Sequence, residues 1–235
     1  MKTDDYEFYK ESFDILDTTY SDWLEEKTSL LASLIEGKNV IEVGCGSGLL
    51  LKHLPNDLNL TGTDFSEGNL VKAKEANPNV TFFKADLNDV SSWHQYSEAF
   101  DCVLCSEVIE HIKDDNTALK ILFSLLKPNG ILVLTVPAFK LLLSKFDIKE
   151  GHYRRYSKNE ISSLIEQSGF KIEYARYWNV LGFLGWLIFI KIFNMNLKQS
   201  SNSFFATMMG KFLKLEKNIH FPFGQTVVIK ARKPN

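Results

Sequence analysis

The chain has 235 residues, of which 45% are hydrophobic and 24% are charged, so it is long enough to bury the core of a globular α/β domain. Its 27 basic and 29 acidic residues give a formal net charge of −2, which argues against nucleic acid as the main partner. We therefore expect one domain with room for an insertion.

The N-terminal residues and the cysteines indicate an intracellular protein. Residues 1–10 carry acidic side chains and contain no apolar core, so they do not form a secretory signal peptide. Of the three cysteines, Cys102 and Cys105 lie in an apolar, strand-like run without the second pair or nearby histidine of a zinc site, and Cys45 is separate. We predict buried, reduced thiols, a cytoplasmic location and no metal ion.

Short apolar runs alternate with helix-period segments between residues 39 and 136. The predicted strands cover residues 39–43, 59–63, 80–84, 100–105 and 130–136. The predicted helices between them cover residues 49–54, 66–76, 91–96 and 115–126, and a turn at residues 127–130 ends the last helix. Because parallel strands need crossovers, this alternation predicts a parallel sheet with helices on both faces.

The pattern is looser after residue 136. Ser157 and Glu160 have the spacing of a capping box, which predicts a helix over residues 157–168 that ends at Gly169. Two further strands are predicted at residues 170–177 and 225–231.

Glycines at positions 44, 46 and 48 lie where the first strand ends and a helix begins. Such a loop exposes backbone N–H groups and lets the main chain approach a ligand, although a purely structural turn is the alternative. The dinucleotide fingerprint needs a glycine at position 49, which is Leu49, and the Gly-Lys-Ser/Thr of a phosphate loop is missing. The sequence therefore predicts a ligand loop of another type.

The stretch Glu42-Val43-Gly44-Cys45-Gly46-Ser47-Gly48 resembles the E-x-G-x-G-x-G motif of class I S-adenosylmethionine-dependent methyltransferases. Four more stretches lie at this family's spacing: LTGTDFS, FFKADLND, CSEVIEHI and LLKPNGILVLTVP. The resemblance implies a Rossmann-like, mostly parallel sheet of seven strands with an antiparallel last strand. It also implies helices on both faces, a helical insertion before the last strand, and S-adenosylmethionine as the cofactor.

The resemblance implies a role for each matching residue. The loop residues Gly44, Cys45, Gly46 and Gly48 would hold the methionine part of the cofactor, and Glu42 would meet its amino end. Asp64 and Phe65 would bind at the ribose, and Asp86 and Leu87 at the adenine. Ser106 and Glu107 would face the methionine part and the acceptor.

Several of these residues have a structural alternative. Asp64 could cap the helix that starts near Ser66, and a carboxylate at this point indicates a ribose without specifying the cofactor. Asp86 could belong to an Asn/Asp turn. Glu42 could hydrogen-bond the loop.

The acceptor side is predicted from two stretches. His111 is a candidate general base, since imidazole titrates near neutrality, but it could equally start a helix or be a packed ring. The stretch KFDIKEGHYRRYS supplies His152 as a second candidate, with Arg154, Arg155 and Tyr156 expected to bind substrate. Paired guanidiniums suit a phosphate, carboxylate or sugar acid, and the alternative is that they pair with surface acids.

Asp147 followed by G-H-Y-R-R-Y resembles a bacterial branch of these methyltransferases. That branch often ends in a P-F-G-x-[ST] turn, an apolar strand and a Lys-Pro tail. Residues 222–226 and 233–234 fit, although Gln225 stands where a small residue or leucine is expected.

Residues 178–193 carry one charge, on Lys191, and are too few to span a bilayer, which takes about 20 apolar residues. Interfacial insertion, a dimer contact, a lid over an apolar acceptor and a buried cover for the sheet are all consistent with this composition. Trp178, Trp186 and Lys191 would suit a membrane boundary, and an amphipathic run at residues 204–215 is compatible with it.

We divide the predicted methyltransferase domain into five parts: an N-terminal helical segment (1–36), a cofactor-binding core (37–137), an acceptor loop with helix and strand (138–177), an apolar helical insertion (178–220), and a final strand with its tail (221–235). The expected acceptor is a small molecule or a glycan- or lipid-linked compound. The alternatives are a non-catalytic S-adenosylmethionine-binding module and, less favoured, an NAD-dependent enzyme.

Overall fold

The computed structural model of the chain describes residues 21–188, 212–214, 216 and 219–235. Seven strands form one sheet in the order β3-β2-β1-β4-β5-β7-β6. They are β1 (Asn39–Val43), β2 (Asn59–Asp64), β3 (Thr81–Lys84), β4 (Phe100–Ser106), β5 (Leu126–Pro137), β6 (Lys171–Trp178) and β7 (Thr226–Arg232). The pairs among β1 to β5 are parallel, and β7 runs antiparallel to both β5 and β6. The predicted fold class is confirmed.

Seven α-helices with defined bounds accompany the sheet, and residues 212–214 and 216 are also helical. They are α1 (Ser21–Ala32), α2 (Leu49–Lys52), α3 (Glu67–Ala76), α4 (Asp115–Leu125), α5 (Lys145–Lys149), α6 (Lys158–Gln167) and α7 (Val180–Gly185). Short 3₁₀ helices cover Val90–Tyr96, Ile109–His111 and Lys140–Leu142. The capping box predicted at the start of α6 is present, with the Ser157 hydroxyl accepting from the backbone N–H of Glu160.

The central strands are buried on both faces, which is why they read as continuous apolar runs rather than as alternating ones. Two hydrophobic clusters lie on the two faces of the sheet. One contains Ile41 and Val103, and the other contains Val40 and Cys102. All three cysteines are free and buried, as predicted. Burial raises the pKa of the Cys102 thiol to about 12, so it stays protonated.

One predicted boundary is wrong. Residues 127–130, expected as a turn, belong to an irregular start of β5, because Leu126 pairs with Phe100 before the register shifts. Asn129 adopts a left-handed backbone with φ 65°, and its N–H donates to the carbonyl of Lys233. Lys233 of the Lys-Pro tail thus hydrogen-bonds the start of β5.

The first part of the apolar insertion packs onto the protein. Trp178 is 2% exposed at the end of β6 and lies 6.0 Å from Trp23 between ring centroids. The Trp186 indole donates to the carbonyl of Leu142. The expectation that both tryptophans mark a membrane boundary is therefore wrong for Trp178, which belongs to the core. Lys191 and most of the amphipathic run lie outside the described residues.

Among the helices that the structure describes, none is both long and apolar enough to cross a membrane.

Candidate active site

The glycine loop connects β1 to α2 at the carboxyl edge of the sheet. Gly44, Gly46 and Gly48 all have positive φ values of 76°, 53° and 77°. A Cβ atom on Gly44 would lie 2.5 Å from Val108 Cγ2, and one on Gly48 would lie 2.5 Å from Asn77 Nδ2. Side chains are thus excluded by backbone conformation and by space.

The loop differs from expectation in its hydrogen bonds. The N–H groups of Gly44 and Cys45 donate to the carbonyl of Thr63, and that of Gly48 donates to the carbonyl of Cys45. The prediction of free N–H groups is therefore wrong at these positions, because the adjacent parallel strand and the turn itself take up the donors. The loop offers a ligand a close main-chain surface rather than a row of open donors.

Asp64 ends β2 directly beside this loop. Its Oδ2 accepts from the N–H of Gly46 at 2.9 Å, and its Oδ1 accepts from Ser66 N at 2.8 Å and Asn69 Nδ2 at 3.2 Å. Burial raises the pKa of Asp64, and these three hydrogen bonds oppose that shift. The helix cap itself is Ser66. Since a carboxylate offers about four acceptor positions, at least one is left for a ligand.

Phe65 follows Asp64 and is 53% exposed, although it is a large apolar side chain. Such an exposed aromatic ring beside a polar pocket can cover a flat ligand. The role of Phe65 next to the ribose stays a prediction.

Glu42 is buried within β1, and its Oε2 has no hydrogen-bond partner among the described residues. Burial raises the pKa of Glu42 to about 8, with Lys27 acting in the opposite direction. Glu42 Oε2 therefore does not make the structural hydrogen bond to the loop that was the alternative role of this residue. A buried carboxylate without a donor at the end of a ligand loop is arranged to receive a cationic group.

Lys27 is a candidate site residue that was not predicted from the sequence. It extends from α1, is 5% exposed, and places Nζ 3.5 Å from Oε1 of Glu107 and 5.0 Å from the centroid of Trp23. A lone lysine on the helix face that also carries Trp23 and Leu31 is the signal that could have found it.

The segment after β4 lies over the glycine loop, since Val108 is the side chain nearest to Gly44. Ser106 Oγ lies 3.0 Å from Thr135 Oγ1, and the Glu107 N–H donates to the Thr135 carbonyl. Glu107 has φ 55°, a left-handed backbone that costs about 1–3 kcal/mol for a residue of this type. Strain of this kind concentrates at functional sites.

Asp86 and Leu87 follow β3. Asp86 Oδ1 accepts from both the N–H and the side-chain amide of Asn88 at 2.8 Å, so the turn proposed as its alternative role is present. Its Oδ2 is not engaged by the described residues and can still accept from a ligand. Leu87 is 4% exposed and joins the core.

His111 and His152 lie together on the acceptor side, with ring centroids 4.5 Å apart in an edge-to-face arrangement. Burial lowers the pKa of His111 to about 4, and His152 adds to the effect, so His111 is neutral at physiological pH. His152 Nδ1 lies 3.2 Å from Oδ1 of Asp147. The structure thus brings together the two histidines that were predicted from separate stretches.

Arg154, Arg155 and Tyr156, which were predicted to bind substrate, make contacts within the protein. Arg155 is 2% exposed, donates to Asp147 and the Ala138 carbonyl, and lies 4.7 Å from the Trp186 ring centroid. Burial alone would raise the pKa of Asp147, the partner of Arg155, but His152 and Arg155 hold this pKa below its usual value.

Arg154 and Tyr156 both bind Asp115, at 2.7 Å and 2.9 Å from its Oδ2. Tyr156 is buried, and burial together with Asp115 raises the pKa of its hydroxyl. The acids that these residues contact are buried rather than on the surface, so the contacts hold the loop in place. Binding of an acceptor by Arg154, Arg155 and Tyr156 stays a prediction.

Gln225, the departure from the branch pattern, has a local role. Its side-chain oxygen accepts from Asn179 Nδ2 at 2.9 Å, and its N–H donates to the Asn179 carbonyl. Asn179 in turn caps α7 through Gly182. Gln225 therefore fixes the start of the apolar insertion.

A sheet of this order, with a glycine loop after the first strand and an acid after the second, defines a class I S-adenosylmethionine-dependent methyltransferase. The described ligand groups lie at the carboxyl ends of the parallel strands, where ligands bind in open α/β sheets.

The comparisons with known proteins agree. Residues 16–175 match the family described as Methyltransferase domain, and the chain belongs to that family. A ubiquinone biosynthesis O-methyltransferase from Dechloromonas aromatica is 33% identical over 119 residues, covering 48% of this chain and 48% of that protein. The chain thus matches its curated relatives over about half of their length.

Two solved structures share the fold across nearly the whole chain. An S-adenosylmethionine-dependent methyltransferase from Thermotoga maritima, described as a possible histamine N-methyltransferase, has a TM-score of 0.67 at 16% identity and covers 97% of this chain and 98% of that one. A methyltransferase from Mesorhizobium loti has a TM-score of 0.60 at 18% identity, covering 88% and 97%. At these identities the likeness concerns the fold.

Proposed function

We propose that this protein transfers a methyl group from S-adenosylmethionine to a hydroxyl oxygen of a small-molecule acceptor. The observation that carries the proposal is the pairing of Asp64 with the glycine loop beside the unpartnered carboxylate of Glu42. A ribose hydroxyl group and a cationic amino group are the complementary ligands.

The cofactor would lie across the ends of three strands. Gly44, Cys45, Gly46 and Gly48 would face its methionine part, with Glu42 at the ammonium group. Lys27 is placed to meet a carboxylate, since it is buried near both Glu42 and Glu107. Asp64 and Phe65 would meet the ribose, and Asp86 and Leu87 the adenine.

Methyl transfer is an in-line displacement in which the acceptor oxygen forms a bond to the methyl carbon. The carbon–sulfur bond breaks, its electron pair stays on sulfur, and the sulfonium becomes a neutral thioether. The protein therefore mainly has to hold three atoms in line, and a hydroxyl acceptor must also lose its proton. Ser106 and Glu107 would border the reacting groups, and His111 and His152 would lie near the departing proton.

The acceptor atom is proposed on two grounds. The curated relatives are named as O-methyltransferases, and the neutral His111 belongs to the kind of polar cluster that a hydroxyl acceptor requires. Calorimetry with S-adenosylhomocysteine and with NADH tests the cofactor class. Binding of NADH alone would overturn the proposal and favour the nicotinamide enzyme. Release of S-adenosylhomocysteine from the cofactor in the presence of hydroxylated acceptors distinguishes an enzyme from a binding module.

We also propose that the acceptor carries an apolar or lipid-linked portion. Leu141 and Ile148 are 70% and 65% exposed, and Leu184 and Ile188 are 39% and 41% exposed. The two segments that carry these residues meet where Trp186 contacts Leu142 and Phe146. Exposed apolar side chains on neighbouring segments suit an apolar ligand or a lipid surface. Flotation with anionic liposomes tests this: the chain should float, and the Leu141→Ser/Ile148→Ser double variant should remain in solution. Wild-type chain left in solution would exclude lipid contact.

A further inference from the structure

A buried carboxylate and two imidazoles meet on the acceptor side of the site. Ligand atoms of Glu110, His111 and His152 all lie within 4.8 Å of one another, and they form the one such group within the described part of the chain. No metal ion was predicted from the sequence, because the cysteine pair lacks the further ligands of a zinc site. These three ligands come from two segments about 40 positions apart.

Glu110 is the unusual member of this cluster. Its side chain is 0% exposed, and neither of its carboxylate oxygens meets a hydrogen-bond donor among the residues described. An ionised carboxylate held in this way costs several kcal/mol unless a cation or donors reach it. One of its oxygens lies within 4.8 Å of a ligand nitrogen of each histidine, so a cation held by the cluster would reach it.

Asp147 lies beside one of the two histidines. Its Oδ1 is 3.2 Å from His152 Nδ1, a charge contact that lacks the geometry of a hydrogen bond. A carboxylate next to a metal-ligating histidine is a common second-shell partner, because it favours a bound cation and restrains the ring. Arg155 holds Asp147 in place at 2.6 Å.

The backbone keeps the two segments together. The N–H of Tyr153 donates to the carbonyl of Glu110 at 2.9 Å, so the residue before Tyr153 is held beside the 3₁₀ helix that carries His111. The cluster is thus part of the folded arrangement and does not depend on chance side-chain contacts.

We propose that Glu110, His111 and His152 bind a divalent transition-metal ion that faces the acceptor. Two imidazoles and one carboxylate suit Zn²⁺, Mn²⁺ or Fe²⁺, whereas Mg²⁺ prefers oxygen ligands alone. Ligand atoms around zinc lie about 3.4 Å apart, so the three side chains would close by about 1 Å on binding. Three protein ligands leave positions open for the acceptor.

The use of this site rests on the proposed function. An acceptor hydroxyl bound to the ion would release its proton to solvent more easily, because a metal ion lowers the pKa of a coordinated oxygen. The histidines would then serve as ligands, and no protein base would be required.

The binding test uses the untagged full chain, freed of metal with a chelator, and the metal alone as the probe. Calorimetry with Zn²⁺ should give about one equivalent, and Mg²⁺ should bind much more weakly. Glu110→Gln and His152→Gln should each weaken Zn²⁺ binding by more than about tenfold. The matched control His53→Gln, at an exposed position outside the site, should bind like the wild type.

A second measurement needs no variant at the site. Mn²⁺ added to the wild-type chain should broaden the NMR ring signals of His111 and His152 and leave those of His53 and His94 sharp. Zinc binding that is unchanged in both site variants, or Mn²⁺ that leaves the signals of His111 and His152 sharp, would overturn the metal site. Both measurements omit cofactor and acceptor, so failure to bind S-adenosylhomocysteine would refute the proposed function without affecting this result.

Discussion

The carboxylate of Asp64 accepts a hydrogen bond from the backbone N–H of Gly46 at 2.9 Å, and this bond holds the glycine loop after β1 against the end of β2. The same carboxylate is the one expected at the ribose of the cofactor. Its removal should therefore affect both the shape of the loop and the affinity for the nucleoside.

Asp64→Ala should weaken binding of S-adenosylhomocysteine by about 1–3 kcal/mol, the usual cost of leaving buried polar partners without an acceptor. Calorimetry measures the change. Asp64→Asn keeps the size and one acceptor oxygen, so it should lose less affinity. Equal binding by the alanine variant and the wild type would contradict the assigned role of Asp64.

Gly44→Ala should distort the loop for two reasons. A left-handed backbone costs a residue with a Cβ atom about 1–2 kcal/mol, and the added carbon would lie 2.5 Å from Val108 Cγ2. Thermal unfolding should show lower stability, and cofactor binding should fall. The double variant Gly44→Ala/Val108→Ala removes the overlap, so it should regain part of the stability but not all of it. Full recovery would mean that backbone conformation is unimportant at this position.

Arg155→Met should destabilise the chain by about 3–5 kcal/mol, because it leaves the buried carboxylate of Asp147 without its cation. Arg154→Met is the comparison, since its pair with Asp115 is partly exposed and should be worth about 1 kcal/mol. Urea unfolding measures both. If Arg155 instead bound the acceptor, its replacement would raise KM and leave the unfolding midpoint unchanged.

Glu42 should make the cofactor-free protein less stable as the pH rises. Its pKa is about 8 in the folded chain against an ordinary 4.5, so between these values the folded state holds a proton that the unfolded state has released. The stability that this proton on Glu42 gives the folded state is fully present below pH 4.5 and is lost as the pH rises through 8. Glu42→Gln should remove it.

The measurement is the difference in unfolding free energy between wild type and Glu42→Gln at pH 5 and pH 8, without cofactor. From pH 5 to pH 8, the unfolding free energy of the variant should rise relative to that of the wild type by at least about 1 kcal/mol. Other buried acids, such as Glu216, cancel in the difference because both chains contain them. A difference that stays constant with pH would show that Glu42 is ionised throughout.

Local patterns were sufficient to predict the sheet. Each strand is a short apolar run with its own flanking turn, and the capping box at Ser157 marks its helix without reference to the rest of the chain. The start of β5 was not predictable, because Lys127-Pro128-Asn129-Gly130 has turn composition and joins the strand only through backbone hydrogen bonds with Lys233, far along the chain.

The site was predictable in part: residues close together in the sequence could be assigned to it, and contacts between distant segments could not. Asp64 lies within one motif spacing of the glycine loop, whereas the contacts of Glu110 with the loop around His152 depend on how two separated segments dock. Arg155 shows the same limit. A charged residue on a predicted loop suggests an exposed ligand contact, and only tertiary packing reveals that Asp147 takes up its charge.

Two backbone contacts hold the C-terminal part of the acceptor loop. The N–H of Tyr153 donates to the carbonyl of Glu110, and Tyr156 forms a β-bridge with Ala138, directly after β5. Residues 140–149 lie between these two points and β5, and their exposed side chains include Leu141 and Ile148. Redesign of acceptor selectivity can therefore vary these two exposed positions while it keeps Asp147, on which the fold of the loop depends.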